Sequence, residues 1–313
     1  MKTLPKLAID FAGLSLQNPV FTASGTSGYA DELGDFVDVN ALGGIVTKSI
    51  SLEPRKGNGI PRIVETDAGM LNAIGLANMG IERFIAEKIP VLEDMADAGV
   101  AVFANVVGYT IDEYVAVTER LAREKALAGL ELNISCPNVK KGGICFGTDP
   151  DGIVEITRAV KKAAGDKVLM VKLTPTVTDI TVAARAAIAG GADALSLVNT
   201  YTAMVVDIEK RCPVLANRTG GLSGPAIKPL AVYLVSRVYD EVTRGTDVPI
   251  LGLGGIRNAS DALEFIIAGA TAIATGTANF IDPECTAKIP EGLIEYCERH
   301  NIDDIQNLVG SLE

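Results

Sequence analysis

The sequence has no tryptophan, one histidine and few aromatic residues, which make up 5% of its 313 positions. The histidine, His300, lies in the polar C-terminal tail, so we do not expect a histidine general base. None of the five cysteines shows C-x-x-C spacing. We therefore expect no disulfide framework, no metal site and no self-contained iron–sulfur cluster, and a reducing cytoplasm as the location.

Positive charge is also scarce, because 28 Lys and Arg face 39 Asp and Glu, a net charge of −11. Without a basic block, the chain is expected to bind neither nucleic acid nor an anionic membrane. Polar residues interrupt the N-terminal stretch, so it does not match a signal peptide. The long uncharged stretch at 265–281 is broken by Gly269 and Gly276, which is not typical of a membrane span.

What the sequence has is alternation, since short runs rich in Ala, Val, Ile and Leu alternate with amphipathic helical segments such as 112–128 and 261–270. This order predicts a parallel sheet, and eight strands favour a closed (β/α)8 TIM barrel over a doubly wound open sheet. No linker interrupts residues 1–313, so we expect one domain. The candidate strands are 19–23, 44–48, 100–106, 130–134, 168–173, 194–199, 249–254 and 272–276.

Three strand-to-helix connections are long, at 49–80, 136–150 and 200–225. Long connections in compact domains usually bind ligands or cover sites, and these three would share the C-terminal face of the barrel.

Every candidate strand also ends near a polar residue or a glycine. One such residue is an ordinary capping group, but a set on one barrel face indicates a ring around a ligand. The set comprises Ser24, Gly25, Lys48, Ser49, Asn105, Asn133, Lys172, Asn199, Thr200, Gly254, Gly255, Gly276 and Thr277.

Lys48 and Lys172 interrupt apolar strands, which indicates either structural ion pairs or, as we favour for the pair, contact with an anion. Gly254, Gly255 and Gly276 follow the last two strands, where barrels commonly bind phosphate. Glycines there let backbone N–H groups approach phosphate oxygens, although tight turns alone would also explain them. No G-x-G-x-x-G fingerprint is present, so we expect a phosphate-bearing cofactor but not a dinucleotide held in the Rossmann manner.

The stretch NISCPNVKKGG (133–143) places Cys136 after a buried strand, between Asn133 and Asn138. A buried, inert cysteine is the plainer interpretation, but the polar loop favours a thiolate base or nucleophile. Amides recur at Asn72 and Asn78, which offer donors and acceptors to a polar ligand, although loops are often rich in asparagine. The loop amides Asn72, Asn133, Asn138 and Asn199 together suit a ligand with ring N–H, C=O and carboxylate groups. The remaining cysteines are interpreted as packing residues: Cys145, Cys212, Cys285 and Cys297.

Ten stretches along nearly the whole chain form an ordered set of motifs: TASGT (22–26), TKSI (47–50), GNGIPRIVET (57–66), MLNAIGLAN (70–78), NISCPN (133–138), VKLTP (171–175), NT (199–200), GGLSGPAIKP (220–229), GLGGI (252–256) and GTANF (276–280). In this set the chain resembles class 1 dihydroorotate dehydrogenase. A single motif would not separate this family from dihydropyrimidine dehydrogenase, which has a related flavin domain.

The resemblance implies FMN as cofactor, dihydroorotate as substrate and Cys136 as catalytic base. The implied FMN contacts are Ser24, Lys48, Ser49, Asn105, Asn133, Lys172, Val198, Gly224, Gly254, Gly255, Gly276 and Thr277. The implied substrate contacts are Lys48, Asn72, Ala73, Ile74, Gly75, Leu76, Asn133, Asn199 and Thr200. Cys136 would remove a proton from C5 while a hydride leaves C6 for flavin N5, under a loop at 136–150 that closes over the substrate.

The stretch VKKGGICFGTDP (139–150) resembles the NAD-linked class 1B form of pyrimidine (UMP) biosynthesis. That form implies an electron-transfer subunit with FAD and a [2Fe–2S] cluster, in a heterotetramer of two catalytic and two electron-transfer chains. Class 2 has a membrane-associating N-terminal extension and a serine base, and the resemblance of NISCPN, with its cysteine, leads us to expect class 1 instead. Alternatives are a fumarate-linked class 1A or dihydropyrimidine-type enzyme and, from another class, a non-catalytic barrel that binds a phosphate ligand.

Overall fold

A closed barrel of eight parallel strands organises the chain, for which a computed structural model describes residues 4–34, 36–135, 140–141 and 144–313. Each strand pairs with the next along the chain, and the eighth pairs with the first. This confirms the (β/α)8 barrel and all eight candidate strands, so the open-sheet alternative is wrong. The strands are Val20–Thr22, Gly44–Val46, Ala101–Val106, Gly129–Asn133, Val168–Lys172, Ala194–Leu197, Ile250–Leu253 and Ala272–Thr275.

Two strands end two residues earlier than the sequence predicts, since the second stops at Val46 and the sixth at Leu197. The expectation that Lys48 lies inside a strand is therefore wrong. The chain after Val46 still follows the third strand, since the Ile50 amide donates to the Asn105 carbonyl at 2.8 Å. This continuation positions Lys48 and Ser49 at the C-terminal end of the barrel.

Helices alternate with the strands, and several begin at a side-chain cap. Thr110, Asp149, Asp179 and Asn258 each accept a hydrogen bond from a backbone amide in the first turn that follows. In the described part of the chain, no helix is long and apolar enough to cross a membrane. The α-helices are Asp31–Gly34, Ile81–Glu87, Ile89–Asp97, Ile111–Leu121, Pro150–Ala164, Ile180–Ala189, Lys228–Val238, Ala259–Ile267 and Cys285–His300, and Tyr239–Thr243 forms a π-helical turn.

The helix predicted over 112–128 ends at Leu121 instead. Lys167 explains part of this difference, because its ammonium donates hydrogen bonds to the carbonyls of Glu124 and Leu127, at 2.9 and 2.5 Å. Residues 122–128 form turns instead of helix, and Leu127 is buried in the core. The tertiary contact therefore overrides the local periodicity.

The N-terminal end of the barrel is closed by aromatic packing. Phe11, Phe21 and Phe103 form a cluster with ring centroids 5.9 to 6.4 Å apart. Gly44 and Gly129 make room for it, since a Cβ at either position would lie within 2.5 Å of a phenylalanine ring carbon. With this end filled, the C-terminal end is the one that can admit a ligand.

Two of the long connections fold together into a four-stranded antiparallel sheet, which we call the loop sheet. Its strands, in spatial order, are Tyr201–Ala203, Gly220–Ser223, Gly69–Asn72 and Ile63–Thr66. The sequence predicted these segments as long connections on the C-terminal face of the barrel, and gave no indication of a sheet within them. Shorter elements are the strand pairs Ile9–Phe11 with Leu14–Leu16, Lys140–Lys141 with Ile144–Cys145 and Val206–Asp207 with Cys212–Pro213, and the 3-10 turns Val39–Ala41, Phe146–Thr148, Pro225–Ile227, Thr277–Phe280 and Ile305–Leu308.

Candidate active site

The loop sheet brings two distant candidate residues to the C-terminal end of the barrel. Asn72 pairs with Gly221, and its side-chain amide donates to the Gly221 carbonyl at 3.4 Å. Gly221 also lies against Thr200, because a Cβ there would be 2.0 Å from the Thr200 hydroxyl oxygen. Asn72 and Thr200, separated by 128 positions in the chain (200 − 72), therefore flank the same glycine.

A chain of amides continues from Thr200 toward the fourth strand. The Thr200 amide donates to Asn199 Oδ1 at 2.7 Å, and Asn199 Nδ2 donates to Asn133 Oδ1 at 3.4 Å. Below them, the Tyr114 hydroxyl donates to the Asn133 carbonyl at 2.8 Å and anchors the end of the strand. The structure thus brings Asn133, Asn199 and Thr200 together, as the sequence predicted.

Within the barrel lies a polar network that sequence reasoning saw only in part. The Ser49 hydroxyl donates to Asn105 Oδ1 at 2.6 Å, and Asn105 Nδ2 donates to Glu131 Oε2 at 2.6 Å. Ser196 donates to Glu131 Oε1 at 2.8 Å, and Lys172 Nζ lies 3.4 Å from Oε2. Glu131 and Ser196 were missed, although a carboxylate between Leu130 and Leu132 in a buried strand was a usable signal.

The lysines near the site differ in their partners. Lys172 is buried in an ion pair with Glu131, so a structural pair, one of the two interpretations of its sequence pattern, is present. Lys228 pairs with Asp261 and Glu264; burial lowers its pKa, but these hydrogen bonds outweigh that effect and the pKa is raised overall. Lys48 is half-buried, and the described residues give its ammonium no carboxylate within ion-pair distance. Of these three lysines, Lys48 is therefore the one best placed to bind an anionic ligand.

Gly254 and Gly255, at the end of the seventh strand, pack closely against neighbouring atoms. A Cβ at Gly255 would lie 2.7 Å from the Gly224 carbonyl, and one at Gly254 would lie 2.7 Å from Ala231 Cβ. Thr277 donates to Ser223 Oγ at 2.8 Å, which joins the eighth strand to the loop sheet. Gly254 and Gly255 also have positive φ, at 139° and 82°. Backbone exposed in this way, at half-buried positions, has the geometry that suits phosphate oxygens.

The other candidate contacts lie around these groups. Ser24 and Gly276 are half-buried at the barrel end, and Val198 is buried directly after the sixth strand. Asn58 shapes the segment 73–76: its side chain donates to the Ala73 carbonyl at 2.9 Å and its amide to the Ile74 carbonyl at 3.1 Å. In the same segment, Gly75 is exposed and Leu76 has φ of 56°.

Asn78 has a structural role that the sequence interpretation did not foresee. Its side-chain amide donates to Ser51 Oγ and to the Leu76 carbonyl, both at 2.8 Å. Its Oδ1 accepts from the Gly80 amide at 2.9 Å and from the Ser51 hydroxyl at 3.2 Å. Because both donors and the acceptor are used within the loop, the structure supports the plainer interpretation of Asn78 as a loop-forming asparagine.

The predicted base, Cys136, and the neighbouring Asn138 lie outside the described residues. Of the cysteines interpreted as packing residues, Cys285 and Cys297 are buried, as predicted, and burial raises the pKa of both thiols. Cys212 is exposed, so that interpretation is wrong for it. The side chain of Cys145 is outside the described set. No cluster of His, Cys, Asp and Glu suited to a metal ion occurs among the residues described.

Comparison with known proteins agrees over nearly the full length. The family model for dihydroorotate dehydrogenase matches residues 6–297. The chain is 50% identical over 309 residues to the "Dihydroorotate dehydrogenase B (NAD(+)), catalytic subunit" of Geotalea daltonii, with 99% of each chain covered. It is 52% identical over 309 residues to the protein of that name from Pelobacter propionicus, again with 99% of each covered, and 51% identical over 308 residues to that of Geotalea uraniireducens, with 98% of each covered. The chain belongs to the dihydroorotate dehydrogenase family.

Proposed function

We propose that this protein oxidises (S)-dihydroorotate to orotate in pyrimidine biosynthesis, as the catalytic subunit of an NAD-linked enzyme. Full-length similarity to relatives of that name supports the activity and the NAD link. The observation that carries the proposal at the site is the convergence of Asn72, Asn133, Asn199 and Thr200, with Lys48 at the same C-terminal end of the barrel. These groups offer one cation and several amide or hydroxyl partners, which match a ring with a carboxylate, carbonyls and N–H groups.

The residues present fit FMN as the resident cofactor. Gly224, Gly254 and Gly255 have positive φ and, with Gly276, leave the backbone free of side chains at the end of the last strands, where backbone N–H groups suit phosphate oxygens. The buried network beneath the barrel end supplies the Lys172 ammonium and the Asn105 amide for a polar isoalloxazine edge. When bound, FMN supplies the acceptor for the hydride that leaves C6 of dihydroorotate.

The chain's own residues then orient the substrate and move its proton. Lys48 would hold the substrate carboxylate, and Asn133 and Asn199 would fix the ring so that C6 faces the cofactor. Cys136 would take the proton from C5 as thiolate, and the connection at 136–150 would exclude water. We infer that the chain acts as one FMN-binding domain over residues 1–313.

The variant Cys136→Ala tests the role of this thiol directly. Without the base, we expect reduction of bound FMN by anaerobic dihydroorotate to slow by about 10²–10⁴-fold, while FMN content stays at the wild-type level. Stopped-flow absorbance of the flavin band gives the rate. Cys212→Ala, which removes an exposed thiol, is the matched control. Reduction of Cys136→Ala near the wild-type rate would rule out the base.

For electron exit, we propose a cytoplasmic heterotetramer of two catalytic chains and two electron-transfer chains that carry FAD and a [2Fe–2S] cluster. The words "catalytic subunit" and "NAD(+)" in the relatives' names support a partner and its acceptor. The chain alone should reduce an artificial dye with dihydroorotate but not NAD, and co-expression with the partner should restore NAD reduction. Rapid fumarate reduction by the isolated chain would instead support the fumarate-linked alternative.

A further inference from the structure

Glu131 is a buried carboxylate at the centre of the barrel that the proposed reaction does not use. Its side chain is 1% exposed, on the fourth strand two residues before Asn133. Residues two apart on a strand share a face, so Glu131 lies one layer beneath Asn133. Donors on three other strands, Asn105, Lys172 and Ser196, point at its two oxygens.

Stability alone gives no reason for a carboxylate at this place. Burial of an ion costs several kcal/mol, and a buried ion pair can often be replaced by apolar side chains without loss of stability. The layer below is filled by Phe103 and its aromatic neighbours, so the barrel can accommodate apolar packing. A fully satisfied buried network, by contrast, fixes the orientation of each member.

The orientation that Glu131 imposes is specific. A carboxylate only accepts hydrogen bonds, so Asn105 must direct its NH2 group toward Glu131 and its Oδ1 toward the Ser49 hydroxyl. The same carboxylate holds the Lys172 ammonium and balances its charge inside the barrel. Glu131 thus fixes the orientation of Asn105 and of Lys172, and its negative charge offsets the positive charge of Lys172.

We propose that Glu131 is a positioning residue that aligns Asn105 and Lys172 for the cofactor and sets the net charge beneath it. This inference rests on the proposed function for the identity of the cofactor. Reduction adds negative charge to the cofactor, so an uncompensated Lys172 ammonium would favour the reduced form. Loss of the Glu131 charge therefore raises the reduction potential of bound FMN.

The test is the midpoint potential of FMN in the Glu131→Gln holoprotein, measured by equilibration with redox dyes. At the wild-type midpoint, we expect the ratio of reduced to oxidised FMN to rise about tenfold, which is about +30 mV for a two-electron couple. Glu131→Asp keeps the charge, so its ratio of reduced to oxidised FMN at the same potential should stay within about twofold of the wild-type ratio. Asp193→Asn is the matched control, because it removes a carboxylate that pairs with Lys161 at the N-terminal end of the barrel, and it should leave the potential unchanged.

A lower melting temperature for Glu131→Gln with an unchanged potential would overturn the inference, since a purely structural acid behaves in that way. If Glu131→Gln does not fold, the double variant Glu131→Gln/Lys172→Met, which removes both charges, is measured in its place. For this double variant, a ratio of reduced to oxidised FMN within about twofold of the wild-type ratio, at the wild-type midpoint potential, supports charge balance. A change of about tenfold in that ratio contradicts it. If dihydroorotate fails to reduce wild-type FMN, the proposed function fails while the potentials still test Glu131.

Discussion

Alanine at Gly255 gives a sharp test of the proposed phosphate site at the end of the seventh strand. Gly255 has φ of 82°, and a Cβ there would lie 2.7 Å from the Gly224 carbonyl oxygen and 2.9 Å from Lys228 Cβ. A backbone carbonyl cannot move away as a flexible side chain can. The substitution should therefore displace the Gly224 and Gly255 backbone together.

The substitution should have two effects, a loss of folding stability and a loss of FMN affinity. A left-handed backbone conformation costs alanine roughly 1–2 kcal/mol. The close contact adds about 1–3 kcal/mol through overpacking. Loss of one backbone hydrogen bond to a charged phosphate costs about 1.5–3 kcal/mol, which corresponds to roughly a 10- to 100-fold weaker FMN complex.

A matched control separates strain from contact. Gly245 has φ of 79°, and a Cβ there would meet nothing within 4 Å. Gly245→Ala should lose stability through backbone strain alone and keep the FMN affinity of the wild type. The assay is FMN fluorescence quenching on apoprotein, with thermal unfolding in parallel. Equal FMN dissociation constants for Gly255→Ala and Gly245→Ala would refute the reasoning.

Other predictions follow from contacts at the site and from thiol burial. Gly221→Ala should raise KM for dihydroorotate about tenfold at unchanged FMN content. The new Cβ would lie 2.0 Å from the Thr200 hydroxyl oxygen and would therefore push Thr200 out of its position. Gly59→Ala, whose Cβ would sit at 3.7 Å from its nearest neighbour, should leave KM unaltered; a similar rise in both variants would argue against the clash. Iodoacetamide at mildly alkaline pH should label exposed Cys212 quickly and Cys285 only after unfolding, because burial raises the pKa of the Cys285 thiol. Peptide mapping that finds Cys285 labelled as fast as Cys212 in the folded protein would contradict this.

The barrel could be predicted from the sequence because its signal is local. Each strand is a short apolar run followed by a helical pattern, and parallel strands buried on both faces need no partner-specific code. The loop sheet could not be predicted in this way, since Asn72 pairs with Gly221 across 149 positions. Nothing in the short strand Gly69–Asn72 marks that partner.

The site shows the same division between local and long-range information. Asn133, Asn199 and Thr200 could be identified because they lie at, or within three residues of, the ends of strands. The structural role of Asn78 could not be identified, because its hydrogen bonds to Ser51 depend on how the loop folds back. Glu131 was missed because its significance comes from donors on three other strands.

The measurement that tests the central claim most directly is a visible spectrum of the purified chain before and after anaerobic addition of dihydroorotate. We predict a flavin band that bleaches on addition, which would report FMN binding and hydride acceptance in one experiment. A flavin band that persists with dihydroorotate, or a colourless protein, would contradict the proposed activity.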